Sequence, residues 1–113
     1  MSERIETTAI RNLIHNEEYC RKVLPFIKEE YFTDRLEKLI FTEIYGFVNK
    51  YNNLPTKESL SIEMNTNKGV SEGEYKKMNE IISSLNPEPI NLDWLVETTE
   101  TWCKDRAIHN AIL

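Results

Sequence analysis

The sequence predicts an all-α protein of about six helices. Apolar residues recur at the three- and four-residue spacing of amphipathic helices along most of the chain. Glycine and proline, with 3 and 4 copies in 113 residues, are rare enough for long uninterrupted helices. No segment shows the alternation of apolar and polar residues, bounded by turn residues, that is typical of a strand.

The composition is typical of one soluble globular domain with a single core. Hydrophobic residues make up 40% of the chain and charged residues 29%, a balance that is too apolar for a disordered protein. With 14 Lys and Arg against 19 Asp and Glu, the net charge is −5, which disfavours tight DNA binding by this chain alone. No run approaches the roughly 18 apolar residues of a membrane span, and the N-terminus lacks the apolar segment of a secretory signal.

The N-terminal part of the chain predicts two short helices and a helical turn. Ile5 to His15 forms the first helix, with apolar residues at helical spacing. Asn16 is placed to cap a second helix, which extends to Leu24 and is stopped by Pro25. The segment from Phe26 to Phe32 predicts a helical turn that docks its apolar and aromatic side chains on the core.

The middle of the chain predicts a long helix and a shorter one. Between Thr33 and Tyr51 the apolar residues form one stripe, and Thr33 or Asp34 can cap the start. Thr56 caps a fourth helix that extends to about Thr66. Its capping box is predicted to be incomplete, because Ser59 stands where glutamate or glutamine would reach back. The stripe of the long helix consists of Leu36, Ile40, Ile44, Phe47, Val48 and Tyr51.

The C-terminal part predicts two more helices separated by a rigid break. Ser71 and Glu74 have the spacing of a capping box and predict a helix that extends to Leu85. Two prolines in residues 86–91 cannot continue it. The last helix starts near Leu92, and its pattern is still running at the final residue, which favours a chain cut from within a longer protein.

No motif for catalysis is present. The sequence contains no GxxxxGKS/T phosphate loop, so we do not expect nucleotide hydrolysis by this chain. His15 and His109 lack the companion ligands of a zinc site and are expected at the surface or at helix ends. Glu97 and Glu100 could act as acid and base, but neighbouring acids of this kind are typical of a solvated helix face.

Cys20 and Cys103 are the only cysteines, and they lack CxxC spacing. The favoured interpretation is two core thiols in a reducing compartment, and a long-range disulfide is the alternative. Lys104 could lower the pKa of Cys103, yet no His or Asp pattern marks this thiol as a nucleophile.

Trp94 and Trp102 lie eight residues apart on the last helix and therefore project about 80° apart. The favoured interpretation buries both rings in the core. The alternative is that one ring is exposed, which would indicate an interaction surface, because tryptophan is enriched where proteins bind one another.

Short motifs between Ala9 and Leu60 occur in the order known from one protein family. They are Leu13 and Ile14; Val23, Pro25 and Ile27; Tyr31 and Phe32; Ile40 and Phe41 with Ile44; and Leu54 followed by Pro55. In this order the chain resembles the N-terminal domain of DnaB-type hexameric replicative DNA helicases. The runs VLPFIKEEYF, FVNKYNNLP and DWLVETTETWCKDRA are similar to those in helicases of T-even-type phages. The resemblance extends from about Ile10 to Ala111.

The resemblance implies a compact orthogonal helical bundle at residues 1–91 and the first arm of a helical hairpin at residues 92–113. Neighbouring subunits of the family pair through this hairpin in a hexameric ring. The implied partners are other copies of the chain, primase and, in some members, a helicase loader. The candidate interaction residues on the last helix are Trp94, Trp102, Arg106, Ile108 and Ile112.

The resemblance also implies a motor domain after residue 113, which would bind ATP and Mg²⁺ and unwind DNA. No catalytic, cofactor-binding or metal-binding residue carries over to this chain, because no position matches the family's nucleotide-binding motifs. We expect only weak binding of single-stranded DNA through this acidic domain, no association with a membrane, and a location in the cytoplasm of the host cell of a phage.

Three other functions remain open. A stand-alone acidic all-α adaptor for protein–protein interaction would have the same fold. An acidic DNA mimic would need paired rows of carboxylates, whereas the acids here are interleaved with Lys and Arg. A small enzyme would need a convergent group of His, Cys or acidic residues, and the sequence shows no such group.

Overall fold

The protein is all-α in its computed structural model, which describes residues 3–67 and 69–112. These residues form six α-helices and one 3₁₀ turn, with no strand in either described range. The helices are α1 (Ile5–His15), α2 (Glu17–Val23), α3 (Arg35–Tyr51), α4 (Lys57–Asn65), α5 (Glu72–Ser84) and α6 (Leu92–Ile112), and the 3₁₀ turn is Glu29–Tyr31. The predicted fold class is therefore confirmed.

The fold is compact and nearly equal in extent in all directions, at 34 × 34 × 33 Å. Its radius of gyration of 13.7 Å is close to the roughly 13 Å expected for a folded chain of this length. None of the described helices is both long enough and apolar enough to cross a membrane.

Local capping chemistry explains where three of the helices begin. The Asn16 side chain accepts a hydrogen bond from the Tyr19 N–H at 3.0 Å, and Asp34 does the same for the Glu37 N–H at 3.0 Å. Ser71 forms the predicted reciprocal capping box at the start of α5. These side chains satisfy N–H groups that the first turn of a helix leaves without a partner.

The prediction of an incomplete capping box at α4 is wrong. The Thr56 hydroxyl accepts from the Ser59 N–H at 3.0 Å, and the Ser59 hydroxyl accepts from the Thr56 N–H at 2.8 Å. Serine therefore performs the role that the motif assigns to glutamate or glutamine, because its short hydroxyl is close enough to the N-cap backbone to accept the bond.

The core forms around α3, which packs against α1, α4, α5 and the 3₁₀ turn, while α6 packs against α1 and α2. Tyr51, predicted on the buried stripe of α3, is instead exposed and packs on Phe47 with 4.7 Å between ring centroids. Helix α3 ends where Asn52 adopts the left-handed conformation, at φ 55°. The largest fully buried side chains include Tyr19, Phe32, Ile10, Leu13, Ile40, Ile44, Leu60, Met64, Met78 and Leu95.

Helix α6 contributes Leu95 and Trp102 to this same core. The structure thus joins the beginning of α6 to the rest of the bundle. The proposed boundary at residue 91 and the hairpin that would begin there stay predictions.

Candidate contact surface

Helix α6 carries all five candidate interaction residues. It begins after the Asn91 side chain, which accepts a hydrogen bond from the Trp94 N–H at 2.9 Å and so caps the helix. Capping places Trp94 in the first turn, where 53% of the residue is exposed. The favoured expectation that both tryptophans are buried is therefore wrong for Trp94.

The inward face of α6 is anchored by a buried pair of hydroxyl groups. The Tyr19 hydroxyl lies 2.8 Å from the Thr99 hydroxyl, and both residues are fully buried. Thr99 donates its only hydroxyl hydrogen to the Leu95 carbonyl at 2.7 Å, so Tyr19 must be the donor within the pair. Burial raises the pKa of Tyr19 well above its usual value, which keeps this donor protonated.

Trp102 lies in the core, with only 8% of the residue exposed. Its ring meets Tyr31 and Phe32 edge-on, with centroids 6.3 and 5.1 Å apart. The structure places this tryptophan as the link between α6 and the 3₁₀ turn, so its side chain offers no free contact surface.

Both cysteines are free thiols buried in the core, as the favoured interpretation predicts. Burial raises the pKa of Cys20 to about 11 and that of Cys103 to about 12. Lys104 does not lower the pKa of Cys103, because desolvation and the nearby Glu100 carboxylate both act in the opposite direction. Neither thiol is therefore activated as a nucleophile at neutral pH.

Arg106 is turned toward the protein. Its Nε donates to the Tyr31 carbonyl at 3.1 Å, and a terminal guanidinium nitrogen lies 3.4 Å from the Asn110 side-chain oxygen. Asn110 in turn donates to the Glu30 carbonyl at 3.1 Å. Arg106 therefore makes contacts within the chain, a role that the sequence pattern did not indicate.

The outer face of α6 presents three large apolar side chains to solvent. Ile108 and Ile112 are 61% and 79% exposed, beside Trp94 at 53%. At about 100° per residue, Trp94 and Ile112 lie on the same side of the helix, about 27 Å apart along its axis, and Ile108 lies within about 40° of both. We call Trp94, Ile108 and Ile112 the α6 outer face. Leu113, expected beside Ile112, lies outside the described residues.

No catalytic or metal-binding arrangement accompanies this surface in the parts of the chain that the structure describes. Those parts contain no group of three or more His, Cys, Asp or Glu side chains that could hold a metal ion. Glu97 and Glu100 are both exposed, as expected for a solvated face. His109 is exposed, and His15, at the end of α1, hydrogen-bonds the Leu85 carbonyl through Nε2 at 2.6 Å.

A second apolar surface, which sequence reasoning missed, is a groove of about 500 Å³ between α2 and α3. Its apolar lining includes Leu24, Pro25, Tyr45, Val48 and Leu54. Tyr45 is 41% exposed, although it packs on Phe41 with 6.0 Å between ring centroids. Only the tertiary approach of two helices creates this groove, so no local sequence signal marks it.

Comparison with known proteins relates the chain to part of a replicative helicase. No model of a protein family matches the sequence. The chain is 33% identical over 102 residues to the DnaB-like replicative helicase of Enterobacteria phage T4. The aligned region covers 90% of this chain and 21% of that helicase, so the chain spans about a fifth of the relative's length. The similarity to replicative helicases that the ordered motifs predict is therefore confirmed.

Proposed function

We propose that the chain is the N-terminal domain of a DnaB-like replicative helicase, since it is similar to part of such a helicase. In this proposal the domain assembles with its own copies into a collar during phage DNA replication. The observation that carries the proposal is the 33% identity extending over 90% of the chain. A match of that extent relates the whole domain, and not a single motif, to the helicase.

The collar would pair through α6. The α6 outer face exposes three large apolar side chains on one side of a single helix, and apolar surface of this kind is typical of places where proteins associate. A following helical arm, contributed by the rest of the helicase, would complete a hairpin that pairs with the hairpin of a neighbouring copy. The collar would in turn contact primase and, in some helicases, a loader.

Binding of ATP and Mg²⁺, and the unwinding of DNA, belong in this proposal to a motor domain outside the chain. The net charge of −5 supports only weak contact of the collar with single-stranded DNA. Fluorescence anisotropy with a labelled oligonucleotide at about 150 mM salt would measure that contact, and a sub-micromolar dissociation constant would contradict it. The site of action would be the cytoplasm of the infected host.

The test of pairing compares the 113-residue chain with a longer protein that continues through the next helical arm. We expect the short chain to be a monomer or a weak dimer in sedimentation velocity, and the longer protein to associate more strongly. The double variant Ile108→Asp with Ile112→Asp should raise the dissociation constant of the longer protein by at least about tenfold for each residue replaced. The reason is that each isoleucine buried at the interface contributes about 1.5–3 kcal/mol to the free energy of association.

Ile62→Asp is the matched control. Ile62 lies on α4 and is 67% exposed, close to the exposed fraction of Ile108, so Ile62→Asp adds one negative charge away from α6 and is compared with Ile108→Asp alone. Association of the longer protein should survive this change. If the longer protein stays monomeric at high concentration, or if Ile62→Asp weakens association equally, pairing through α6 is wrong. A stand-alone interaction adaptor then becomes the better explanation.

A further inference from the structure

The groove between α2 and α3 continues into a second cavity of about 400 Å³. The two spaces share Pro25 and Tyr45, and the second cavity adds Ile27 and Phe41 as apolar lining. We call the two spaces together the double groove. The α3 residues that line each space are centred about five positions apart, so the spaces lie roughly 7 Å apart along the helix.

This separation matches the repeat of an extended peptide. In an extended chain, side chains two positions apart lie on the same face and about 6.8 Å from each other. Each space of the double groove can therefore hold one side chain of the same peptide. Recognition of this kind takes its specificity from spaces for alternate side chains and its affinity from bonds to the peptide backbone.

Two amide side chains are placed to bind such a backbone. Asn49 and Asn53 both line the groove, and both residues are exposed. A primary amide can donate to a carbonyl and accept from an N–H group. An extended peptide has both groups free, whereas the backbone groups within a helix are already paired. The amides therefore favour an extended ligand over a helical one.

The charges at the double groove favour an acidic group at one end only. Arg21 is the only charged residue among the described residues that line the groove between α2 and α3. Its Nε and Nη2 donate to Glu17 at 3.2 and 2.9 Å, which leaves the two N–H groups of Nη1 for another acceptor. Both side chains of this pair are more than half exposed, so Arg21 can bind a second carboxylate at little cost. The second cavity carries Glu29 and Glu30 beside Lys28, which disfavours an acid at that end.

We propose that the double groove binds an extended segment of a partner protein that carries two large apolar side chains two positions apart and a carboxylate beside Arg21. The apolar side chains enter the two spaces on either side of Tyr45. Asn49 and Asn53 bind the backbone, and Arg21 selects the acidic end. This binding involves a single chain, so it does not depend on pairing through α6.

The test uses synthetic hexapeptides with blocked ends as probes. The acidic probe has leucine at its second and fourth positions, aspartate at its sixth, and serine elsewhere. Heteronuclear NMR spectra of the isotope-labelled 113-residue chain report where each probe binds. We expect saturable shifts of the backbone amides of Leu24, Tyr45, Val48 and Leu54, with a dissociation constant below about 1 mM.

Two altered probes test the chemistry of the ligand. A probe with lysine in place of aspartate should bind about fivefold more weakly, because an exposed ion pair contributes up to that factor. A probe with leucine at its second and third positions places the two side chains on opposite faces. It should bind at least about tenfold more weakly, because one leucine then has no apolar space to enter.

Two variants of the chain test the assigned roles. Arg21→Gln should remove the preference for aspartate over lysine and leave the binding of the lysine probe nearly unchanged. Asn49→Ala should weaken the binding of both probes by about fivefold, since it removes bonds to the backbone. Both substitutions keep or raise helix propensity, so the fold should be preserved.

Lys22→Gln and Asn65→Ala are the matched controls, because they make the same chemical changes at exposed positions outside the lining of the double groove. Neither should change binding. The proposal is overturned if the acidic probe does not bind saturably, if its shifts fall on the α6 outer face, or if the three probes bind equally. Equal weakening by the controls would also overturn it.

Discussion

Replacing Thr99 by valine removes the acceptor of a buried hydrogen bond between α2 and α6. Tyr19 donates to Thr99 at 2.8 Å, and Thr99 donates to the Leu95 carbonyl at 2.7 Å. Valine has nearly the shape of threonine, so the substitution leaves almost no cavity in the core. The change therefore isolates the cost of leaving the Tyr19 O–H buried without a partner.

The expected free energies follow from which group each variant leaves unpaired. Thr99→Val strands a buried donor and should lower the free energy of unfolding by about 1–3 kcal/mol. Tyr19→Phe leaves Thr99 bonded to the Leu95 carbonyl and should cost about 0.5–1.5 kcal/mol. The double variant leaves no unpaired hydroxyl group, so it should lose less than the sum, with a coupling energy of about 1–2 kcal/mol.

Urea unfolding followed by far-ultraviolet circular dichroism at pH 7 measures these values, since a domain of this size is expected to unfold in one step. Thr101→Val, at an exposed position of the same helix, is the control and should stay within about 0.5 kcal/mol of the original chain. If the two single losses simply add in the double variant, the hydroxyl pair does not contribute as a unit, and the reasoning is refuted.

Three further predictions concern titration and helix ends. Burial raises the pKa values of Cys20 and Cys103 to about 11 and 12 from an ordinary 9.0, so the folded state keeps protons that the unfolded chain releases. The free energy of unfolding should be constant with respect to these thiols below about pH 9 and should decline as the pH rises toward 11 and 12. Urea unfolding midpoints measured from pH 8 to 11 test this expectation. Asn52→Ala should lower the free energy of unfolding by about 1 kcal/mol and Asn52→Gly should not lower it, because Asn52 has a left-handed conformation that glycine adopts without strain and alanine does not. Thermal melts of the two variants measure the difference. Ser59→Ala should lower stability by about 0.5–1 kcal/mol, whereas Ser83→Ala, at an exposed site, should leave the melting temperature unchanged.

Helix starts were predictable because they depend on chemistry within three residues. Asn16, Asp34 and Ser71 each cap the helix that follows, and a side-chain oxygen beside free N–H groups is visible in the sequence itself. The error at Ser59 has a physical origin. The capping-box motif requires glutamate or glutamine, but the geometry requires only an acceptor at the right distance, which a serine hydroxyl also provides.

The candidate contact surface was harder to predict because it depends on distant parts of the chain. The angle between Trp94 and Trp102 follows from helix geometry, but which ring is buried depends on where the 3₁₀ turn packs. The role of Arg106 depends on the Tyr31 carbonyl, 75 positions away in sequence. An arginine on a helix carries no local signal that a backbone carbonyl of a distant turn will be its partner.

The bond between Tyr19 and Thr99 joins residues 80 positions apart, so the order of synthesis matters for this fold. At roughly 5–20 residues per second, a ribosome needs roughly 4–16 s to add those 80 residues. During that interval α1 and α2 are already made, but the helix that covers part of their surface is not. The nascent chain must therefore pass through a period in which its N-terminal helices have no native partner from α6. The packing of α6 on α1 and α2 can form only after Trp102 has left the exit tunnel of the ribosome.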